Sequence, residues 1–152
     1  MINKECPFCG KLIRDFAFME SKNFLAIYNR APILPGHSMI IPKRHCTSMF
    51  ELTPHERAEM IEFSMITIEL LQKVFKAKSF NWSIQEGEPA GQSVKHLHMH
   101  VMPRKDKDLP NPGDWYPMLD QSDNGYLDSE KRPAYSVEDL KGIVDMIKSY
   151  LE

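Results

Sequence analysis

The sequence predicts an α+β fold, an antiparallel sheet with helices set beside it. Three observations carry that prediction. His96-Leu97-His98-Met99-His100 alternates imidazole with apolar side chains, and on a strand such alternation sends the histidines to one face and Leu97, Met99 and Val101 into a core. Residues 12–29 read as a hairpin. Residues 54–76 are apolar at helical spacing behind a capping signal.

The elements follow in order. Phe16-Ala17-Phe18 and Phe24-Leu25-Ala26-Ile27-Tyr28 form the hairpin around a turn at Lys22-Asn23. Pro35-Gly36 then punctuates the chain before a third strand, Ser38-Met39-Ile40-Ile41-Pro42. Thr53 is a cap, Pro54 suits the first helical position and Glu56 completes a capping box. The helix from Pro54 to about Lys76 leaves only a narrow polar stripe at Glu62, Glu69, Lys73 and Lys76. So broad an apolar surface predicts burial on more than one side. Phe80–Gln85 is the fourth strand. A Gly87–Gly91 loop follows, then the histidine strand through Met102, which Pro103 should end for want of an amide donor. Residues 105–135, rich in Pro, Asp, Asn and Gly, are too long for an ordinary connection and read as a mobile arm. Ser136-Val137-Glu138-Asp139 caps a final helix over 136–151.

A chain of 152 residues fits a single domain over 1–152. With 19 basic against 21 acidic residues and a pI near 6.3, nothing marks a nucleic-acid binder. No apolar run reaches the roughly 18 residues of a membrane span. The first residues lack the apolar stretch of a signal peptide. Three cysteines do not make a secreted disulfide framework. A cytoplasmic protein without nucleic-acid or membrane partners is expected.

Imidazole serves as nucleophile, acid or metal ligand near neutrality, so three in register on one face predict a site. Three histidines alone can hold a catalytic zinc. Here Gln85, Gln92 and Ser93 are uncharged donors flanking the triad, and Gly87 and Gly91 let backbone approach a ligand. That setting suits the stabilisation of charge on phosphoryl oxygens, and Lys95, Arg104 and Lys105 add positive potential for a polyphosphate. Cys6-Pro7-Phe8-Cys9 is a knuckle open to three readings: redox pair, zinc half-site or neither. Zinc needs two further ligands, which His45 and one triad histidine can supply. His55 reads as exposed, Cys46 as a small buried residue, and His37 taken alone as structural.

The run Ala90-Gly91-Gln92-Ser93-Val94-Lys95-His96-Leu97-His98-Met99-His100-Val101-Met102 closely resembles the signature of the histidine triad (HIT) superfamily. The likeness extends back through Ser83–Gly87, Tyr28–Pro32 and Pro35-Gly36-His37. Order and spacing are similar to the fragile-histidine-triad branch, the dinucleoside polyphosphate hydrolases, over about residues 6–104. The resemblance implies a HIT-like fold with a five-stranded antiparallel sheet, and a nucleotidyl hydrolase acting on diadenosine tri- or tetraphosphate at the α-phosphate.

Carried over residue by residue, it makes His98 the nucleophile, its Nδ1–H donated to a backbone carbonyl and its Nε2 left to attack. His100, Gln85 and Ser93 match positions that contact the phosphate or leaving group, and His37 one near the phosphates. Asn29 matches the ribose position, where many relatives carry Asp; Ile27 and Met39 would line the base pocket, with Gln92 beside the nucleotide. In some branches a structural zinc is held at positions matching Cys6, Cys9, His45 and His96. The resemblance also implies a two-fold homodimer, and no organic cofactor. Two other functions share these features. One is hydrolysis of nucleoside phosphoramidates. The other is a nucleotide-binding sensor, for which the tail aromatics Trp115, Tyr116 and Tyr126 offer an interface.

Overall fold

A computed structural model describes residues 5–92, 94–122 and 134–151. Five strands, β1 (Ala17–Glu20), β2 (Phe24–Tyr28), β3 (Ser38–Pro42), β4 (Ser79–Ile84) and β5 (Met99–Arg104), pair antiparallel in the order β1-β2-β3-β5-β4. The predicted sheet is present, and its hairpin closes on β1 and β2. A short helix that the sequence reading did not include, α1 (Lys11–Asp15), precedes β1.

The long helix α2 (Pro54–Phe75) begins as predicted. The Thr53 hydroxyl accepts from the Glu56 amide at 3.1 Å, and the Glu56 carboxylate accepts from the Thr53 amide at 2.8 Å. This reciprocal cap satisfies two amides that helical geometry leaves without partners. Arg44 clamps the same carboxylate through Nε at 3.0 Å and Nη2 at 2.8 Å, fixing the loop that leads from β3 into the helix. The C-terminal helix α4 (Val137–Lys148) is capped by Ser136 and buries Leu140, Val144 and Ile147. α2 packs on β5 and β2, and α4 on β1 and α2.

Directly opposed residues of antiparallel strands share a face. Tyr28, Ser38, Val101 and Trp82 form one cross-strand row, and Tyr28 stacks on Phe75 of α2 at 6.2 Å, so this is the helix-covered face. The neighbouring row, Ile27, Met39, His100 and Ser83, faces the other way. On α2, Leu71 is fully buried and Ile68 nearly so. The apolar side chains left on its outer surface are Ile61, Met65 and Ile66, at 43, 49 and 49 % exposure.

Three expectations change. The histidine ladder starts only at Met99, because β3 accompanies it no further than Ile40; upstream, the Leu97 amide bonds instead to Cys46 O at 2.7 Å. The alternation survives, since Leu97, Met99 and Val101 are all core. Pro103 lies inside β5, opposite Phe80. It is tolerated there because pairing with β3 has stopped at Val101, leaving that side of β5 an edge. The 105–135 segment, expected as an arm, contains a helix, α3 (Trp115–Ser122), which joins Leu119 to Ile33 and Met102 in a second small core. Residues 123–133 lie outside the described residues.

Candidate active site

His98 and His100 meet at near right angles, ring centroids 5.0 Å apart. Both are buried at the start of β5, and the partners of their ring nitrogens determine their tautomers. His98 Nδ1 lies 2.7 Å from the carbonyl of His96. A carbonyl only accepts, so Nδ1 carries the hydrogen and Nε2 the lone pair. The reverse holds one residue pair further on. The Ile33 amide donates to His37 Nδ1 at 3.1 Å, which confines the His37 proton to Nε2. That nitrogen lies 2.9 Å from His100 Nδ1, which must therefore accept, and the His100 hydrogen is left on Nε2. A backbone carbonyl and a backbone amide thus give neighbouring imidazoles opposite polarity: His98 presents a lone pair at Nε2, His100 a donor.

This places His37 behind His100 rather than among the groups that would touch a ligand first. Gln85 is buried, donates Nε2 to the Ser83 hydroxyl, and has no partner for Oε1 among the described residues. Gln92 is tied into its own loop. Its Oε1 accepts from the Gly87 amide at 2.8 Å, and its Nε2 reaches Val94 O at 3.2 Å and Thr47 O at 3.4 Å. Ser93 lies outside the described residues. Asn29 is buried, and its Oδ1 caps the Ala31 amide at 2.9 Å. Ile27 and Met39 share the His100 row and belong to the covered core. Arg104 is not part of a phosphate-facing charge, because Asp108 binds it twice at 2.9 Å while Asn81 and Pro112 O take Nη1.

Cys6, Cys9, His45 and His96 converge, their ligand atoms all within 4.8 Å of one another. Cys6 Sγ is 3.4 Å and Cys9 Sγ 3.5 Å from His96 Nδ1, and Cys9 Sγ is 3.4 Å from His45 Nδ1. A tetrahedral ion with Zn–S near 2.3 Å and Zn–N near 2.05 Å sets sulfur and nitrogen about 3.5 Å apart. The tautomer agrees, since His96 Nε2 donates to Pro42 O at 2.9 Å and so turns the Nδ1 lone pair towards the thiols. Burial holds His96 near a pKa of about 4, against an ordinary 6.5, and pushes the Cys6 thiol up to about 11. The residues present fit a four-ligand metal site.

Sequence reasoning missed two contributors. Phe8, inside the knuckle, meets the rings of His96 and His98 at 5.8 and 5.2 Å. Glu86 anchors the glycine loop by accepting from the Met49 amide and the Ser48 hydroxyl. No local pattern announces either contact, since each joins segments far apart in sequence.

The HIT domain family model matches residues 11–107. The chain belongs to the HIT domain family. This HIT domain is 35% identical over 121 residues to the asymmetrical bis(5'-nucleosyl)-tetraphosphatase of Schizosaccharomyces pombe, covering 77% of this chain and 66% of that one. It is 37% identical over 129 residues to the bis(5'-adenosyl)-triphosphatase of Saccharomyces cerevisiae, covering 83% and 62%. The HIT domain therefore spans a little under two thirds of the length of these curated relatives. Among solved structures, a zinc-bound histidine triad family protein from Mycobacterium smegmatis superposes with a TM-score of 0.68 at 24% identity, covering 96% of this chain and 94% of that one. At that identity the likeness shows the fold.

Proposed function

We propose that this HIT domain hydrolyses dinucleoside polyphosphates of the diadenosine tri- and tetraphosphate type through a nucleotidyl-histidine intermediate on His98. The observation that carries the reading is the 2.7 Å contact from His98 Nδ1 to the His96 carbonyl, which leaves the lone pair on Nε2 and so supports it as the nucleophile. The lone pair on Nε2 forms a bond to the α-phosphorus as the bond from phosphorus to the bridging oxygen breaks. The remaining nucleotide leaves with that electron pair. The imidazole becomes cationic in this step, and the same carbonyl stabilises the charge on Nδ1–H. His100 Nε2–H, oriented through His37, donates to the phosphoryl group where negative charge develops; on the sequence signature, Gln85 and Ser93 are assigned to the phosphate or leaving group. Water then attacks the phosphorus and loses a proton to solvent, the electron pair of the N–P bond returns to Nε2, and a nucleoside monophosphate is released. Covalent catalysis replaces one hard displacement with two easier ones. The names of the two curated relatives support the substrate class.

Zinc at Cys6, Cys9, His45 and His96 would be structural in this scheme: all four positions are taken by protein, so it clamps the knuckle to the start of β5. Asn29 is the residue proposed to meet the ribose, with Ile27 and Met39 beneath the base. We also read the domain as half of a two-fold dimer. Ile61 and Met65 of α2 share the helix-covered side with Trp82 of edge strand β4, which is 47% exposed, and apolar surface so placed is covered in most proteins.

The test compares wild type with His98→Ala on diadenosine triphosphate, diadenosine tetraphosphate and an adenosine phosphoramidate. Turnover should disappear while nucleotide affinity stays within about tenfold. Retention of a tenth of wild-type kcat would remove His98 as nucleophile. Faster cleavage of the phosphoramidate would move the substrate class while leaving the mechanism.

A further inference from the structure

We propose that Phe8 is a positioning residue that couples the Cys6–Cys9 knuckle to the orientation of the His98 ring; the inference rests on the reading of His98 as nucleophile. Phe8 stands between the two cysteines, in a turn closed by the Cys9 amide on Cys6 O at 3.1 Å, and only 3% of it is exposed. Its ring meets two imidazoles at once. It lies 5.8 Å and 78° from His96 and 5.2 Å and 80° from His98, both within the range of favourable edge-to-face contact. One of those rings belongs to the metal-binding cluster and the other to the reaction, so the side chain spans the two.

His98 needs such a wall. Its Nδ1 contact to His96 O holds one edge of the ring, and a tilt about Cβ–Cγ would swing Nε2 off the line of attack. Two perpendicular neighbours, Phe8 and His100, oppose that tilt. His100 is itself fixed through His37. Phe8 takes its backbone position from the knuckle turn and its packing from the main core. Order in the knuckle is thereby transmitted to the nucleophile through the Phe8 ring.

Replacement by leucine keeps apolar bulk and removes the aromatic edge, so Phe8→Leu is the primary variant, with Phe8→Ala as a deeper truncation. On diadenosine triphosphate, Phe8→Leu should lower kcat by about tenfold or more with KM within about threefold, because displacement of a reacting atom by a fraction of an ångström affects the transition state more than binding. Long-range ¹⁵N spectra of the histidines give a second readout that needs no substrate. Wild type should show His98 as a single Nδ1–H tautomer, and Phe8→Leu should shift its nitrogens towards an average of the two tautomers. Unchanged kcat with unshifted His98 nitrogens in folded Phe8→Leu would overturn the proposal, as would a rise in KM alone. Failure of the hydrolase reading would appear separately, as absent turnover in the wild type, while the nitrogen spectra still decided the role of Phe8.

Discussion

Gly36→Ala tests how the backbone beneath His37 is held. Gly36 has φ +93°, donates its amide to the Tyr28 hydroxyl at 3.0 Å, and offers its carbonyl to Ser38 Oγ at 2.9 Å. A methyl group here would lie 2.7 Å from Pro103 Cγ and 3.0 Å from Phe75 Cδ2. Neither neighbour is the loose end of a flexible chain, since Pro103 is set in β5 and Phe75 stacks on Tyr28. Placing alanine at positive φ costs about 1–2 kcal/mol, and overpacking adds roughly 1–3 kcal/mol. The sum of about 2–5 kcal/mol corresponds to a fall in Tm of roughly 5–15 °C for a domain of this size. Thermal and urea unfolding would measure it. Gly142→Ala is the control of opposite sign: it lies within α4, a methyl there meets nothing within 4 Å, and helix propensity predicts a gain of about 0.5–1 kcal/mol. A Gly36→Ala Tm within about 2 °C of wild type would refute the account of this turn.

Wild-type protein should carry about one zinc per chain, and Cys9→Ser should lose it and melt roughly 5 °C or more lower; substoichiometric metal with unchanged melting would end the structural-zinc reading. The Arg44 guanidinium holds the Glu56 carboxyl at about 2, below its usual 4.5. A depressed carboxyl contributes stability above about pH 4.5 that is lost as pH falls towards 2. Wild type should therefore exceed Glu56→Gln by up to about 1 kcal/mol at pH 6, with the gap closing in acid; urea curves with a constant gap from pH 6 to pH 3 would contradict this. Ile61→Asp combined with Met65→Asp should halve the solution mass from twice 17.7 kDa to one chain, read by light scattering, because unpaired charges would enter an apolar contact. A wild-type mass of a single chain at micromolar concentration would refute the dimer.

Much of the fold was legible because its signals are local. Thr53 and Glu56 are three residues apart, and their reciprocal cap depends on nothing beyond the first turn of α2. The alternation from His96 to Val101 survives even where the ladder has not begun, since extended backbone alone separates the faces. The composition of 105–135 suggested an arm, yet Leu119 finds Ile33 and Met102 and α3 forms. Ile33, one of the two residues that cover it, belongs to the turn after β2, far back along the chain, which no local window can register. Ile68 and Leu71 illustrate the same limit. The apolar breadth of α2 was plain, but which of its sides the protomer buries depends on α4 and the sheet, and that left Ile61, Met65 and Ile66 outside.

By itself the sequence determined which atoms are available for chemistry: three imidazoles in alternation, a thiol pair three residues apart, and a glutamine just before the glycine loop. It also determined the antiparallel frame that gathers them, through period-two alternation, turn residues and caps. Only the tertiary structure decided what each imidazole does. Histidine has two nitrogens and one proton, and the choice between them is made by whichever backbone group lies within about 3 Å. The His96 carbonyl leaves the lone pair of His98 on Nε2, the Ile33 amide acts through His37 to give His100 the opposite polarity, and Pro42 O turns His96 towards the cysteines. The His96 carbonyl and the Ile33 amide are near neighbours of the rings they bind, whereas the His37–His100 and Pro42–His96 contacts join segments distant in sequence. A backbone carbonyl or amide is the same group in every residue, so its position, and with it the polarity of each imidazole, is set by the packing of the fold.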